Sequence, residues 1–364
     1  MGKQETRGRI RGSGRRRGGS ATPRRGLGAA AWTAVGLLLA GGAAIGGAYV
    51  KLDGNIESVD INTQLGDNRP KNIDNGSMDI LVLGSDSRAG DNSAYGRDDG
   101  GSARSDTAMI VHVYEGHKAA SVVSIPRDTL ITRPECTDRD GTAVPAAYRA
   151  MFNTAYEVGG PACAVKTVEQ MSGIRMDHYI EVDFTGFKKL IDELGGVEVT
   201  TTQPIKDGSS HLDLAAGTHL LDGEQALGLV RTRKAVGEGS DLGRIQLQQA
   251  FIKALMEQVK KVGVFSGPGK VWGLADAATK AIRPDSELDG VQELADFASG
   301  LAGLDADGVQ MITLPVVYDT VDRNRVVPVD AQAQQVWDAL RRDLPIPAEA
   351  TKDTATGQAE GVVR

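Results

Sequence analysis

Asp79-Ile80-Leu81-Val82-Leu83-Gly84 is a short, almost wholly apolar run closed by glycine, and such a run predicts a buried strand. Ala108-Met109-Ile110-Val111-His112-Val113-Tyr114 predicts a second strand and Ala120-Ser121-Val122-Val123-Ser124-Ile125 a third. Residues 89–101, between the first two, are rich in Gly, Asp and Ser and predict a surface loop.

Downstream the apolar period becomes helical. Pro161 at a first turn opens a helix over 163–171 that Gly173 closes. Phe187, Leu190, Ile191 and Leu194 give a helix over 184–194, ended by Gly195-Gly196. Asp222 is placed to cap a helix over 223–230, and Asp241 a long one carrying the stripe Ile245, Ala250, Phe251, Leu255, Val259 and Val262. A helix over 288–299, a strand over 310–316 and a helix over 331–342 follow. Strands and helices mixed through 78–342, with no internal repeat, predict one α/β or α+β domain.

The net charge of −7 hides an uneven distribution. Residues 1–25 hold nine Lys/Arg and one acid, which leaves 32 basic against 47 acidic residues in 26–364, a balance of −15. So acidic a domain repels nucleic acid, which excludes a nucleic-acid partner and confines phosphate chemistry to a local basic site or a metal. Residues 26–50 carry no charge, enough for a membrane-spanning helix. The basic flank before it keeps the N-terminus in the cytoplasm and sends the rest across the cell membrane; a cleaved signal peptide is the competing reading. The expected organisation is a cytoplasmic tail 1–25, a span 26–50, a stalk 51–77, an extracytoplasmic domain 78–345 and a disordered tail 346–364. Cys136 and Cys163 are the only cysteines, and an exported pair is more often a disulfide than a metal site.

Polar residues gather where strands end. The first strand runs into Ser85-Asp86-Ser87-Arg88, Arg104-Ser105-Asp106-Thr107 precedes the second, and the third runs into Pro126-Arg127-Asp128. Arg231-Thr232-Arg233 places two arginines on one face of an extended segment, and Gln248 lies one helical turn beyond Arg244. Arginine forks match phosphate oxygens and keep their charge, so they suit a diphosphate. Carboxylates at strand ends suit Mg²⁺. Singly these features are weak, because a surface Arg or Asp is usually solvated. Ser85 lacks a G-x-S-x-G elbow, and Asp177-His178-Tyr179 reads as a packed polar corner rather than a catalytic base.

In order and spacing, Ile80 to Arg88, Arg104-Ser105-Asp106-Thr107 and Ser124-Ile125-Pro126-Arg127-Asp128-Thr129 resemble successive motifs of the LytR-CpsA-Psr family. Asn153-Thr154-Ala155-Tyr156 with Gly159-Gly160-Pro161, Asp177 to Phe187, Leu221-Asp222-Gly223 with Ala226-Leu227, and Arg231 to Gln249 continue the resemblance, which covers roughly 79–260. It implies an α/β fold of the α-β-α sandwich type with a single mixed sheet. The implied enzyme moves a glycopolymer from a polyprenyl diphosphate carrier in the bilayer to peptidoglycan, forming a phosphodiester. Carried over by position, Arg127, Arg231, Arg233 and Arg244 would grip the diphosphate with Gln248 beside them. Asp86 and Asp106 would hold Mg²⁺, with Mn²⁺ as the alternative, and Arg88 and Arg104 would steady that shell or touch phosphate. Leu247 stands where the family usually has Arg, and Met151-Phe152 replaces Lys-Ile. A diphosphatase and a non-catalytic envelope protein are the competing readings, and the arginine–aspartate set argues against the second. Asp128 and Asp241 are the candidates for general base. The stripe on the 241–262 helix is read first as core packing and second as a slot for a prenyl chain.

Overall fold

The computed structural model describes residues 46–85, 105–138, 140–233, 241–262, 267–355 and 361–363, with the backbone alone for Ser85, Ser105, Asp106 and Pro268. Six strands, β1 Met78–Ser85, β2 Ser105–Val113, β3 Ala120–Ile125, β4 His178–Asp183, β5 Ile282–Pro284 and β6 Val309–Thr313, form one sheet in the order β5-β4-β1-β2-β3-β6. It is mixed: β4 runs parallel to β1 and β6 to β3, and the other neighbours are antiparallel. Seven helices with nine or more described residues are present: α1 Asn153–Ser172, α2 Phe184–Leu194, α3 Gly223–Arg231, α4 Asp241–Val262, α5 Pro268–Ala281, α6 Val291–Leu301 and α7 Asp330–Arg341.

The continuous apolar runs have a simple cause: both faces of the sheet are covered. Leu81, Leu83, Ile110, Val123 and Ile125 pack on one side with Val165 and Val168 of α1 and Val336, Trp337 and Leu340 of α7. Ile80, Met109 and Val122 point the other way, to Ile252 and Met256 of α4 and Phe297 and Leu301 of α6. Burying each such side chain contributes about 1.5–3 kcal/mol. A smaller core joins Ile191, Leu194, Ala226, Leu229, Leu247 and Phe251 from α2, α3 and α4.

Local signals set the helix ends. Asp183 accepts a hydrogen bond from Gly186 N at the start of α2, and Gly195 ends that helix in the left-handed conformation at φ 88°. Asp222 and Gln225 form a capping box on α3. The expected 163–171 helix is the second half of a longer one, because α1 begins at Asn153 and kinks at Gly159-Gly160 before Pro161. A Cβ at Gly159 would lie 2.7 Å from both Cys163 Cβ and Thr137 O. The glycine lets the helix approach the Cys136–Cys163 disulfide, which forms as expected.

Several expectations need correction. Asp241 is the first residue of α4 rather than a flanking cap. The 310–316 strand divides at Leu314-Pro315, and Val316–Tyr318 instead pairs with Val326–Pro328 as a hairpin. Proline lacks the N–H that continued pairing would use. The stalk is no free linker: Leu52, Ile61 and Leu65 are buried, and Arg69 pairs with Glu169 at 2.6 Å with both side chains under 5 % exposed. Residues 346–355 are not a disordered tail either. Ile346 and Ala350 enter the main core, and Ile346 exchanges two hydrogen bonds with Gln310. Alanine-rich composition conceals such anchoring, since one isoleucine and one alanine suffice for it. Most of the expected span, residues 26–45, lies outside the described residues; among those described, no helix is long and apolar enough to cross a membrane.

Candidate active site

The register gathers the motifs at one end of the sheet. Because β2 is antiparallel to both β1 and β3, Ser85 stands opposite Ser105, Gly84 opposite Thr107 and Ala108 opposite Ile125. The ends of β1 and β3 therefore share an edge with the start of β2. Beyond β3 the chain turns tightly: Thr129 N and Oγ1 both donate to Pro126 O, at 3.0 and 2.6 Å. This presents Arg127 and Asp128 at the tip. The start of α1 lies against the turn, with Phe152 N donating to Thr129 O and Asn153 N to Arg127 O. That contact gives the Asn153-Thr154-Ala155-Tyr156 motif a structural task.

A cleft of about 490 Å³ opens here, lined by Arg127, Asp128, Arg233, Asp241, Leu242 and a second wall made of Tyr318 and residues 323–326. Arg127 Nε lies 3.4 Å from Asp241 Oδ1 and 3.6 Å from Asp128 Oδ2. Asp241 Oδ1 is also 2.7 Å from Arg244 Nη2, and the Arg244 side chain is 3 % exposed. Burial pushes the Asp241 carboxyl above its ordinary 3.8, although Arg244, Arg127 and Arg233 pull it down. Neither of its oxygens makes a well-formed hydrogen bond, so charge alone holds it between the arginines.

The Arg231-Thr232-Arg233 segment straddles the end of α3. Thr232 is fully buried and bonded to Ser210 Oγ and Gly228 O, while its two neighbours are part-exposed. Arg233 enters the cleft, and its backbone N donates to Asp207 Oδ2 at 3.0 Å. Arg231 lies over the Phe184 ring at 5.4 Å, outside the cleft wall. Gln248 is a brace: its Nε2 donates to Thr107 Oγ1 and Val230 O, both at 2.9 Å, tying α4 to β2 and α3. Leu247, the departure from the family pattern, is 1 % exposed and sits in the smaller core, so it contributes nothing to the cleft.

The structure thus brings Arg127, Arg233 and Arg244 together around Asp241, with Gln248 bracing α4 against β2 and α3 behind them. Asp86, Arg88 and Arg104 lie outside the described residues, as does the side chain of Asp106. Among the described residues no His/Cys/Asp/Glu group is arranged to hold a metal. The 177–179 corner is packed as expected: His178 Nδ1 lies 3.1 Å from Asp285 Oδ2, which also accepts from Tyr179 N. The α4 stripe is core packing through Ile245 and Phe251, but Val259 is 51 % exposed and breaks it.

Sequence reasoning missed the second wall. The hairpin of Val316–Tyr318 and Val326–Pro328 is fixed to the Arg127 turn by a Thr129–Val326 bridge and by Arg325 Nη1, 3.3 Å from Asp128 Oδ1. Its signal was present, two Val-rich runs flanking Asp322-Arg323-Asn324-Arg325.

Comparison with known proteins finds relatives in both sequence and fold. The chain is 31 % identical over 320 residues to the cell wall biosynthesis protein LcpA of Corynebacterium glutamicum, covering 79 % of this chain and 60 % of LcpA. It is 34 % identical over 237 residues to the polyisoprenyl-teichoic acid–peptidoglycan teichoic acid transferase TagT of Bacillus subtilis, covering 62 % and 68 %. The match thus spans about three fifths of LcpA's length and two thirds of TagT's. Among solved structures, TagT bound to LI-WTA superposes with a TM-score of 0.56 at 28 % identity, covering 79 % of this chain and 98 % of that one. An Actinomyces oris LytR-Csp2A-Psr enzyme shares the fold, with a TM-score of 0.58, 23 % identity and coverage of 79 % and 95 %. The model of the LytR_cpsA_psr family matches residues 48–342, more than half of the sequence, and the chain belongs to that family.

Proposed function

We propose that the protein is a phosphotransferase that attaches a glycopolymer, carried on a polyprenyl diphosphate, to peptidoglycan through a phosphodiester. The observation that carries this reading is the cleft. In a region with a balance of −15, four arginines (Arg127, Arg233, Arg323 and Arg325) face two aspartates around one opening at the sheet's end. The names of the relatives, teichoic acid transferases among them, support the same class of substrate.

In the reaction an acceptor hydroxyl oxygen attacks the phosphorus that bears the glycan. A P–O bond to the acceptor forms, the bond to the bridging oxygen breaks, and prenyl phosphate leaves. Arg127 and Arg233 bind the diphosphate and stabilise charge developing on the transferred group. Asp241 holds Arg127 and Arg244 in place. Its oxygens are buried, whereas the Asp128 side chain is 19 % exposed on the cleft wall, so Asp128 is the group that can take the hydroxyl proton.

Asp86 and Asp106 are proposed to hold Mg²⁺. In the sequence Asp86 directly follows Ser85 and Asp106 directly follows Ser105, and the pairing of Ser85 with Ser105 supports this reading. Such an ion, when bound, neutralises phosphate charge. Residues 26–50 are proposed to anchor the chain in the cell membrane, with the domain on the extracytoplasmic side, close to a carrier lipid in the same bilayer.

The test is turnover of a polyprenyl-diphosphate-linked glycan by the full-length protein with Mg²⁺ and peptidoglycan. Phosphate-linked glycan should appear on the peptidoglycan. If Arg127→Ala and Arg233→Ala both turn over like the parent, the site assignment is wrong.

A further inference from the structure

The hairpin wall brings two further arginines, Arg323 and Arg325, to the cleft. Arg323 lines the cleft, is exposed, and among the described residues makes no hydrogen bond or ion pair. Its neighbours are engaged. Arg325 bridges Asp128 at 3.3 Å and Asp322 at 3.7 Å, and Asn324 donates through its backbone N and Nδ2 to Asp322 Oδ1. The hairpin is held at both ends: Val326 N donates to Asp128 O, and Arg149 Nη2 meets Asp319 Oδ1 at 2.9 Å, with Asp319 only 5 % exposed. Arg323 is therefore an uncommitted cation on a fixed support, across the opening from Arg127 and Arg233.

We propose that this hairpin is the acceptor subsite and that Arg323 grips a carboxylate of the peptide stems on the peptidoglycan strand. The proposal rests on the transferase reading and names which wall takes which substrate. In an in-line displacement the acceptor enters opposite the leaving prenyl phosphate. Asp128, which receives the hydroxyl proton, is bonded to the hairpin through Arg325, so an acceptor that reaches Asp128 from the cleft lies beside the hairpin. The diphosphate is matched on the other wall by Arg127 and Arg233. A stem carboxylate is an anion that the donor diphosphate lacks, and a guanidinium fork binds it bidentately.

The experiment gives the full-length protein one donor, a polyprenyl-diphosphate-linked glycan, and two acceptors. These are peptidoglycan oligomers with free stem carboxylates and the same oligomers amidated. Transfer to acceptor and release by water are measured together. The parent should favour the free-carboxylate acceptor by about tenfold. Arg323→Ala should abolish that preference and lower the ratio of transfer to hydrolysis by about tenfold, and Arg323→Lys should restore part of it. Arg323 is exposed and unbonded, so a folding defect is not expected, and thermal melting checks this. The proposal is overturned if Arg323→Ala keeps the parent's preference, or if transfer and hydrolysis fall by the same factor, which would put Arg323 on the donor. A parent protein that transfers to neither acceptor overturns the transferase reading itself, and this one with it.

Discussion

Asp241 Oδ1 lies 2.7 Å from Arg244 Nη2 and 3.4 Å from Arg127 Nε, so one carboxylate joins the first turn of α4 to the turn after β3. The two arginines come from segments more than 100 residues apart. Without a negative charge between them they would repel each other in a buried setting.

Asp241→Asn should therefore lower transfer by about a hundredfold, comparable to removing one charged donor from a transition-state cradle. Because burial holds the Asp241 carboxyl above its ordinary 3.8, protonation should begin to loosen the cluster at a pH above that value. A pH–rate profile of the parent should show its acid limb displaced upward accordingly.

Arg127→Lys retains charge but not the planar guanidinium, whose Nε lies near both Asp241 and Asp128. Transfer should fall by at least about tenfold, with a smaller loss than in Arg127→Ala. Steady-state kinetics with varied donor measures the difference.

Gln248→Ala leaves Val230 O and Thr107 Oγ1 without the amide that joins them. Stability should drop by about 1–3 kcal/mol, read by urea denaturation. Activity should fall as well, because Val230 leads into the segment that carries Arg233 to the cleft.

Two histidines give the domain a pH signature. Burial pulls His112 down, but the hydrogen bonds and charges of Asp79 and Asp343 raise it above its ordinary 6.5. For His178, burial likewise pulls down and the Asp285 hydrogen bond and charge raise it above 6.5. Burial pushes Asp285 up, yet His178 and the backbone N–H groups of Tyr179 and Glu287 hold it below 3.8. The histidine contributions are complete below pH 6.5 and fade as pH rises through their raised values, while the Asp285 contribution is present above 3.8 and fades below it. Melting temperature should decline as pH rises above 6.5, and a His112→Gln/His178→Gln variant should flatten that decline.

Reducing the Cys136–Cys163 bond, which closes a 27-residue separation, should cost about 2–4 kcal/mol. Thermal melting with and without reductant measures it, and Cys163→Ser should reproduce the reduced value.

Much of the fold and site was legible in the chain because its signals are local. The apolar runs of β1 and β3, the Asp222 cap and the Gly195-Gly196 stop each act within a few residues. Arg127, Arg233, Arg244 and Gln248 were found because their motifs follow strand and helix ends, where side chains converge. The hairpin wall was missed because its strands are three residues each and depend on Thr129 and Asp128, nearly 200 positions earlier. The packed 51–77 segment was hidden for a similar reason. Its polar composition masks Ile61 and Leu65, which matter only once α1 lies beside them.

The central claim is that the cleft moves a phosphoryl-linked glycan intact. The most direct measurement is the fate of phosphorus when the full-length protein turns over a donor labelled at the glycan-bearing phosphate. Label should appear in a peptidoglycan–phosphate–glycan product, with unlabelled prenyl phosphate released in equal amount. Label recovered only as glycan phosphate or inorganic phosphate, with peptidoglycan unmodified, would contradict the account.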